Sequence, residues 1–107
     1  MKYWAIIYSK LPAQGMALYP FMLFKSKGLQ GDKIIVNHEK IHFKQQLELL
    51  IVPFYLLYLI HYLWNYLKYK DRSKAYFNIC FEKEAYANDR NLDYLKNRKP
   101  YAWFRFL

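Results

Sequence analysis

The period of the apolar positions changes along the chain, and each change marks an element. Tyr3 to Tyr8 and Tyr19 to Lys25 are short apolar runs separated by Pro12 and Gly15, which predicts a pair of strands joined as an N-terminal β-hairpin. The turn-forming segment Gly28-Leu29-Gln30-Gly31 follows, and Asp32 is placed to cap a helix. Ile34, Ile35, Ile41, Leu47, Leu50 and Ile51 then supply apolar positions at helical spacing, so a helix is expected from about Lys33 to Val52, ended or kinked by Pro53. Beyond Pro53 the chain is apolar around most of its circumference, which predicts an apolar helix from Phe54 to Tyr69. A further helical stretch is expected from about Ala75 to Lys96. Together these elements give an α+β fold, mainly helical, as one domain over residues 1–107.

Composition narrows the picture. A chain of 107 residues supports one modest core, and no internal repeat or low-complexity segment divides it. Cys80 is the single cysteine, so an internal disulfide is excluded, and it reads as a small apolar residue rather than a nucleophile. The Tyr3 to Tyr8 run is too short for a signal-peptide core and carries no convincing cleavage site, so no cleavable signal peptide is expected.

Charge raises the question of partners. The net charge of +9 and the 21% of aromatic residues suit an anionic surface. Leu49 to Trp64 contains no Asp, Glu, Lys or Arg, but it would reach only about 24 Å as a helix, short of the roughly 30 Å hydrocarbon core, and Pro53 interrupts it. The segment is rich in Tyr and Trp and is followed by Lys68, Lys70, Arg72 and Lys74, as in an interfacial hairpin on an anionic leaflet. A buried core helix is the competing reading, so the expected location is membrane-associated or cytoplasmic. The stretch from Asn97 to Leu107 interleaves basic and aromatic residues. It fits headgroups and an interface through Arg98, Lys99, Trp103, Arg105 and Phe106 as well as it fits a nucleic acid. With no nucleic-acid motif beside it, nucleic acid ranks below the membrane.

The chemistry is concentrated in His38-Glu39-Lys40-Ile41-His42, an H-E-x-x-H pattern inside the first predicted helix. Histidines at i and i+4 share a helix face, so their imidazoles can hold one Zn2+ while Glu39 flanks it as a general base. Gln45 and Gln46 lie on the same face as His42, where their amides could orient a ligating histidine. A catalytic zinc keeps three protein ligands and an open position. H-E-x-x-H-x-x-G-x-x-H fails, because the corresponding positions are Gln45 and Glu48. His61 would stand about 28 Å from His42 along a continuous helix, so it is expected in the core or at an interface. The remaining candidates are Glu82 and Glu84, about 200° apart on a helix, so that only one readily faces the metal.

With this pairing the chain resembles the gluzincin group of zinc peptidases, whose third ligand is a glutamate on a later helix. In its membrane branches, such as the CAAX-type prenyl-protein peptidases and BlaR-type sensor peptidases, that glutamate heads E-x-x-A-D or E-x-x-C-D. Matching Ala85 to the small residue carries the ligand onto Glu82, and Tyr86 then stands where the pattern has aspartate. Glu84 remains the alternative ligand. The resemblance also implies an edge strand that holds an extended substrate, with Phe21 to Lys25 as the candidate.

Geometry adds a condition. A helix unbroken from His42 to Leu67 and reversing near Lys70 would leave Glu82 some 24 Å from His42, so the site requires a corner at Pro53. The resulting expectation is zinc-dependent peptide hydrolysis on a peptide or protein substrate, with Tyr76, Tyr86 or His61 as candidate stabilisers of the oxyanion. The alternative is a non-catalytic membrane-associated or interaction protein that keeps a zincin metal framework. So short a chain offers little material for a substrate cleft, which a partner or a homo-oligomer would then complete.

Overall fold

The computed structural model describes residues 2–107. Three short strands come first: β1 (Trp4–Ile7), β2 (Gly15–Leu18) and β3 (Phe21–Phe24). They form one sheet in the order β1-β3-β2, with β1 parallel to β3 and β2 antiparallel to it. The expected hairpin between the two apolar runs is therefore replaced. The runs pair in parallel, and the hairpin is the one between β2 and β3 that Tyr19 and Pro20 turn. β2 escapes a pattern search because Gly-Met-Ala-Leu is short and carries neither β-branched nor aromatic residues. Phe21 to Phe24 is consequently the central strand, not an edge.

After a 3-10 turn at Lys27–Gly31, α1 spans Lys33–Leu49. Its start is fixed by Asp32, whose carboxylate accepts from the backbone N–H groups of Ile34 at 3.0 Å and Ile35 at 3.2 Å. α2 spans Ile51–Tyr69, and the two helices meet at 109°. The corner is at Leu50, which takes φ 64° and ψ 151°, and not at Pro53. Pro53 is the third residue of α2, in the turn whose N–H groups have no helical acceptor, so its missing donor costs nothing there. The first helical bond of α2 runs from Phe54 N–H to the Leu50 carbonyl, immediately beyond it.

The expected helix from Ala75 to Lys96 is broken into α3 (Arg72–Phe77), α4 (Cys80–Asn88) and α5 (Tyr94–Asn97), and a 3-10 turn follows at Ala102–Phe106. Asn78 ends α3 by donating its side-chain amide to the Lys74 carbonyl, and Ile79 is extended at φ −64° and ψ 131°. His61, from α2, accepts the N–H of Cys80 at 3.1 Å and so caps α4. The break lets α4 pack against α1 instead of continuing along α2.

Two apolar clusters hold these pieces. Ala17, Met22, Phe24 and Phe43 join the sheet to α1. Phe54, Ile79, Cys80 and Phe81 join α2 to α4, with Tyr58, Trp103 and Phe106 against them. Each fully buried phenylalanine contributes about 1.5–3 kcal/mol of hydrophobic stabilisation. The core reading of α2 does not hold, because Phe54 and Asn65 are its buried residues while most of its leucines face outward.

Candidate metal centre

α1 turns an unusually polar face inward. Asn37, His38, Glu39, His42, Gln45 and Gln46 are all buried. α4 runs past this face and brings Glu82 to the two histidines. Glu82 Oε1 lies 3.1 Å from His38 Nε2 and 3.1 Å from His42 Nε2, and the two Nε2 atoms are 3.2 Å apart. His38, His42 and Glu82 thus form a buried group whose donor atoms could hold a metal ion.

The donor set can be tested from its own hydrogen bonds. Gln45 donates its amide to the Phe81 carbonyl and to Glu84 Oε1, both at 3.0 Å, so its oxygen must face His42. That oxygen accepts from His42 Nδ1–H at 2.8 Å, and Asp89 Oδ2 accepts from His38 Nδ1–H at 3.0 Å. With both protons held on Nδ1, both Nε2 lone pairs point at each other and at a carboxylate oxygen. Three acceptors this close repel unless a cation or a proton lies between them. A tetrahedral zinc with bonds of about 2.0–2.1 Å spans ligand edges of about 3.3 Å, close to the observed triangle. Two imidazoles and a carboxylate are also a donor set zinc accepts.

The electrostatics of the metal-free site agree. Burial works to lower the pKa of His42, but the charge and hydrogen bond of Glu82, with Glu39 beyond, carry it up to about 9. Burial works to raise that of Glu82, and the two histidines outweigh it and hold the carboxyl well below its usual range. Without metal, a proton on His42 supplies the positive charge for which this point is built.

Glu39 is placed differently. It lines a cavity of about 220 Å³ together with His38, His42, Glu82, Tyr58 and Tyr76. Among the described residues its carboxylate has no hydrogen-bond partner, and burial raises its pKa against the opposing pull of His42 and His38. Gly15 of β2 closes on it from the sheet: a Cβ there would lie 3.1 Å from Ile35 Cγ2 and 3.3 Å from Glu39 Oε2.

The other sequence-derived residues fall into distinct places. Glu84 is fully buried and turned from the histidines onto Arg98, which pairs with Glu48 as well. Gln46 bonds the sheet, donating to the Ala17 carbonyl and accepting from Tyr19 N–H, so it anchors β2 rather than a histidine. Tyr86 packs its ring 4.4 Å from that of His38 and shares a hydrogen bond with Tyr76. His61 is committed to α4 and stands apart from the triad.

Four residues have roles at the site that the sequence reading missed. Asp89, the residue that ends α4, lies seven positions after Glu82 and almost in line with it, and so does the work expected at position 86. Tyr58 donates to the second oxygen of Glu82 at 2.6 Å. Asn37, beside His38, ties down the segment carrying Asp89 by donating to the carbonyls of Asp89 and Asn91. Arg98, expected at the headgroups of an interface, is instead buried, because it is needed to neutralise Glu84 and Glu48. The seven-residue spacing was a readable signal for Asp89, whereas Arg98 and Tyr58 meet their partners only through the fold. Comparison of the chain with protein-family models, curated proteins and solved structures finds no match.

Proposed function

We propose that this chain is a zinc-dependent hydrolase of peptide bonds. The carrying observation is that His38 and His42 each have Nδ1 tied to an acceptor and Nε2 aimed at Glu82, while an unpaired Glu39 faces the adjoining cavity. His38, His42 and Glu82 would hold the ion, which when bound supplies the Lewis acidity that polarises a carbonyl and acidifies water.

The remaining work falls to the chain. Glu39, with its pKa raised by burial, accepts a proton from the attacking water and returns it to the leaving amine. Tyr58 gives its one proton to Glu82, whereas Tyr76 lines the same cavity with a phenol that burial keeps protonated and can donate to developing negative charge on oxygen while accepting from Tyr86. β2 offers a place for an extended substrate. Lys25 N–H bonds the Gln14 carbonyl, so the ladder alternates and the backbone groups of Gly15 and Ala17 point away from β3. Gln46 and Tyr55 take the Ala17 carbonyl, while Gly15, Met16 and Ala17 border the cavity. A peptide strand added here would pass beside Glu39.

The test combines metal analysis with turnover. Glu82→Gln should lose zinc and Glu84→Gln should keep it. Glu39→Gln should keep zinc and fold while losing cleavage of a peptide library by roughly 10²–10⁴-fold. Cleavage by Glu39→Gln at the wild-type rate would sink the mechanism. A zinc-loaded wild type inactive on every peptide would leave the non-catalytic framework instead.

A further inference from the structure

α2 carries its apolar residues on the side away from the protein. Val52, Leu56, Leu59, Ile60, Leu63 and Leu67 fall within an arc of about 100° on the helix. Their exposures run from 50% at Leu63 to 73% at Leu67. The opposite side is occupied, with Phe54 in the core and Asn65 donating to the Ala75 carbonyl. The bare arc does not end at the helix. An apolar groove of about 410 Å³ lies between Ile60 and Trp64 on α2 and Trp103, Phe104 and Leu107 of the following turn. Phe104 and Leu107 are themselves 65% and 67% exposed, which extends the surface beyond α2. A contiguous apolar surface of this kind marks a contact that the single chain does not make.

The rim says what makes it. At the far end of α2 the apolar residues give way to Trp64, Tyr66 and Tyr69, and then to Lys68, Lys70, Arg72 and Lys74, all exposed. None of these four cations joins an ion pair among the described residues; the pairs made by lysine and arginine are those of Lys96 and Arg98. Apolar side chains, then aromatic rings with polar edges, then free cations is the order met on passing from acyl chains to anionic headgroups. A second copy of the chain would bring the same +9 charge, and the one carboxylate between Lys68 and Lys74, Asp71, already accepts from Lys74 N–H as the cap of α3.

We propose that the exposed face of α2, with Phe104 and Leu107, docks in the plane of an anionic lipid surface, and that Lys68, Lys70, Arg72 and Lys74 meet the headgroups. The inner side of α2 supplies Phe54, Tyr55 and Tyr58 to the cavity wall, so docking would set the candidate metal centre close behind the interface.

Flotation of the purified full chain with vesicles tests this, because aggregated protein does not float. The probes are phosphatidylcholine alone and phosphatidylcholine with phosphatidylglycerol at ~3:1. Flotation is expected with the anionic vesicles and should weaken from ~0.05 M to ~0.5 M salt. Combining Lys68→Gln, Lys70→Gln and Lys74→Gln should lower partitioning roughly a hundredfold. Leu56→Glu with Leu63→Glu should lower it at least roughly tenfold, with the thermal melt unchanged since both positions are exposed. His38→Ala should float as wild type does, which separates this surface from the peptidase reading. Failure to float with anionic vesicles would overturn the proposal. A salt-insensitive dimer that fails to float and that Leu63→Glu dissociates would also overturn it and assign the face to a second copy.

Discussion

α1 and α2 are consecutive helices of 17 and 19 residues, and they treat polarity in opposite ways. α1 buries Asn37, His38, Glu39, His42, Gln45 and Gln46. α2 buries one aromatic residue and one asparagine, and leaves Leu56, Leu59, Ile60, Leu63 and Leu67 in the open. The difference is one of partners. Burying a polar group is tolerable when its hydrogen bonds are made, and on α1 most are, through α4, through the segment from Asp89 to Asn91 that follows it and, for Gln46, through the sheet. Glu39 is left without such a bond at the cavity, which leaves its carboxylate open for the proposed role as proton acceptor. The leucines of α2 pay no such penalty in place, and their cost is the apolar area still in contact with water.

The contrast can be broken most forcefully at Arg98. Its side chain is 3% exposed, and it bonds the carboxylates of both Glu84 and Glu48. Arg98→Leu should destabilise the protein by about 3–5 kcal/mol in denaturant titration, since it strands buried carboxylates without a cation. A loss within experimental error would mean that pairing does not hold this polar interior. The same cluster sets an acid limit. Burial works to raise the pKa of Glu84, but its bonds from Arg98, Gln45 and Tyr94 hold it below the ordinary 4.5. Its contribution is therefore present above about pH 4.5 and is lost as pH falls through the lowered value.

A smaller effect is expected at Asp89, which holds His38 rather than the ion. Asp89→Asn should weaken zinc binding roughly 10–100-fold in competition with a chelator, with the helices intact by circular dichroism. Unchanged affinity would show that His38 keeps its orientation without a carboxylate behind it.

The pH response sharpens the comparison further, because it separates a proton from a metal at the same point. In the metal-free protein the His42 pKa rises from 6.5 to about 9, so its stabilising contribution is complete below 6.5 and is lost as pH rises through 9. Metal-free melting temperatures should therefore fall across that window. Zinc must displace the proton, so its affinity should climb about tenfold per pH unit up to about 9. A metal-free melting temperature that rises from pH 6.5 to 9 would contradict the charge assignment.

The smallest effect belongs to the bare side of α2. Leu63→Gln should change unfolding stability by no more than about 0.5 kcal/mol, because the leucine is already half exposed. A larger loss would mean that this face is covered in the protein as purified.

How much of this was readable follows from range. α1, its Asp32 cap and the shared face of His38 and His42 are set by contacts within a few residues, so periodicity and composition suffice to state them. Glu82 was reachable as a candidate because the ligand count demanded a carboxylate and few were available. The corner was foreseen in kind and misplaced in position. Proline is the strongest local breaker, yet the first turn of a helix tolerates it, and Leu50 was left to take the left-handed φ of 64°. The parallel pairing of β1 with β3 and the short β2 were hidden because strands this brief carry little pattern of their own.

The sequence by itself determined that two imidazoles and a glutamate would lie on one helix face, since the 3.6-residue period admits no other arrangement. Only the tertiary structure decided what meets that face. The break at Asn78 and Ile79 aims α4 at α1, which brings Glu82 rather than Glu84 to the histidines and lines up Asp89 behind His38. It also decided that α2 lies along the outside with its leucines exposed. These outcomes depend on chain closure over some 40 to 50 residues, where packing, not local preference, selects the partner.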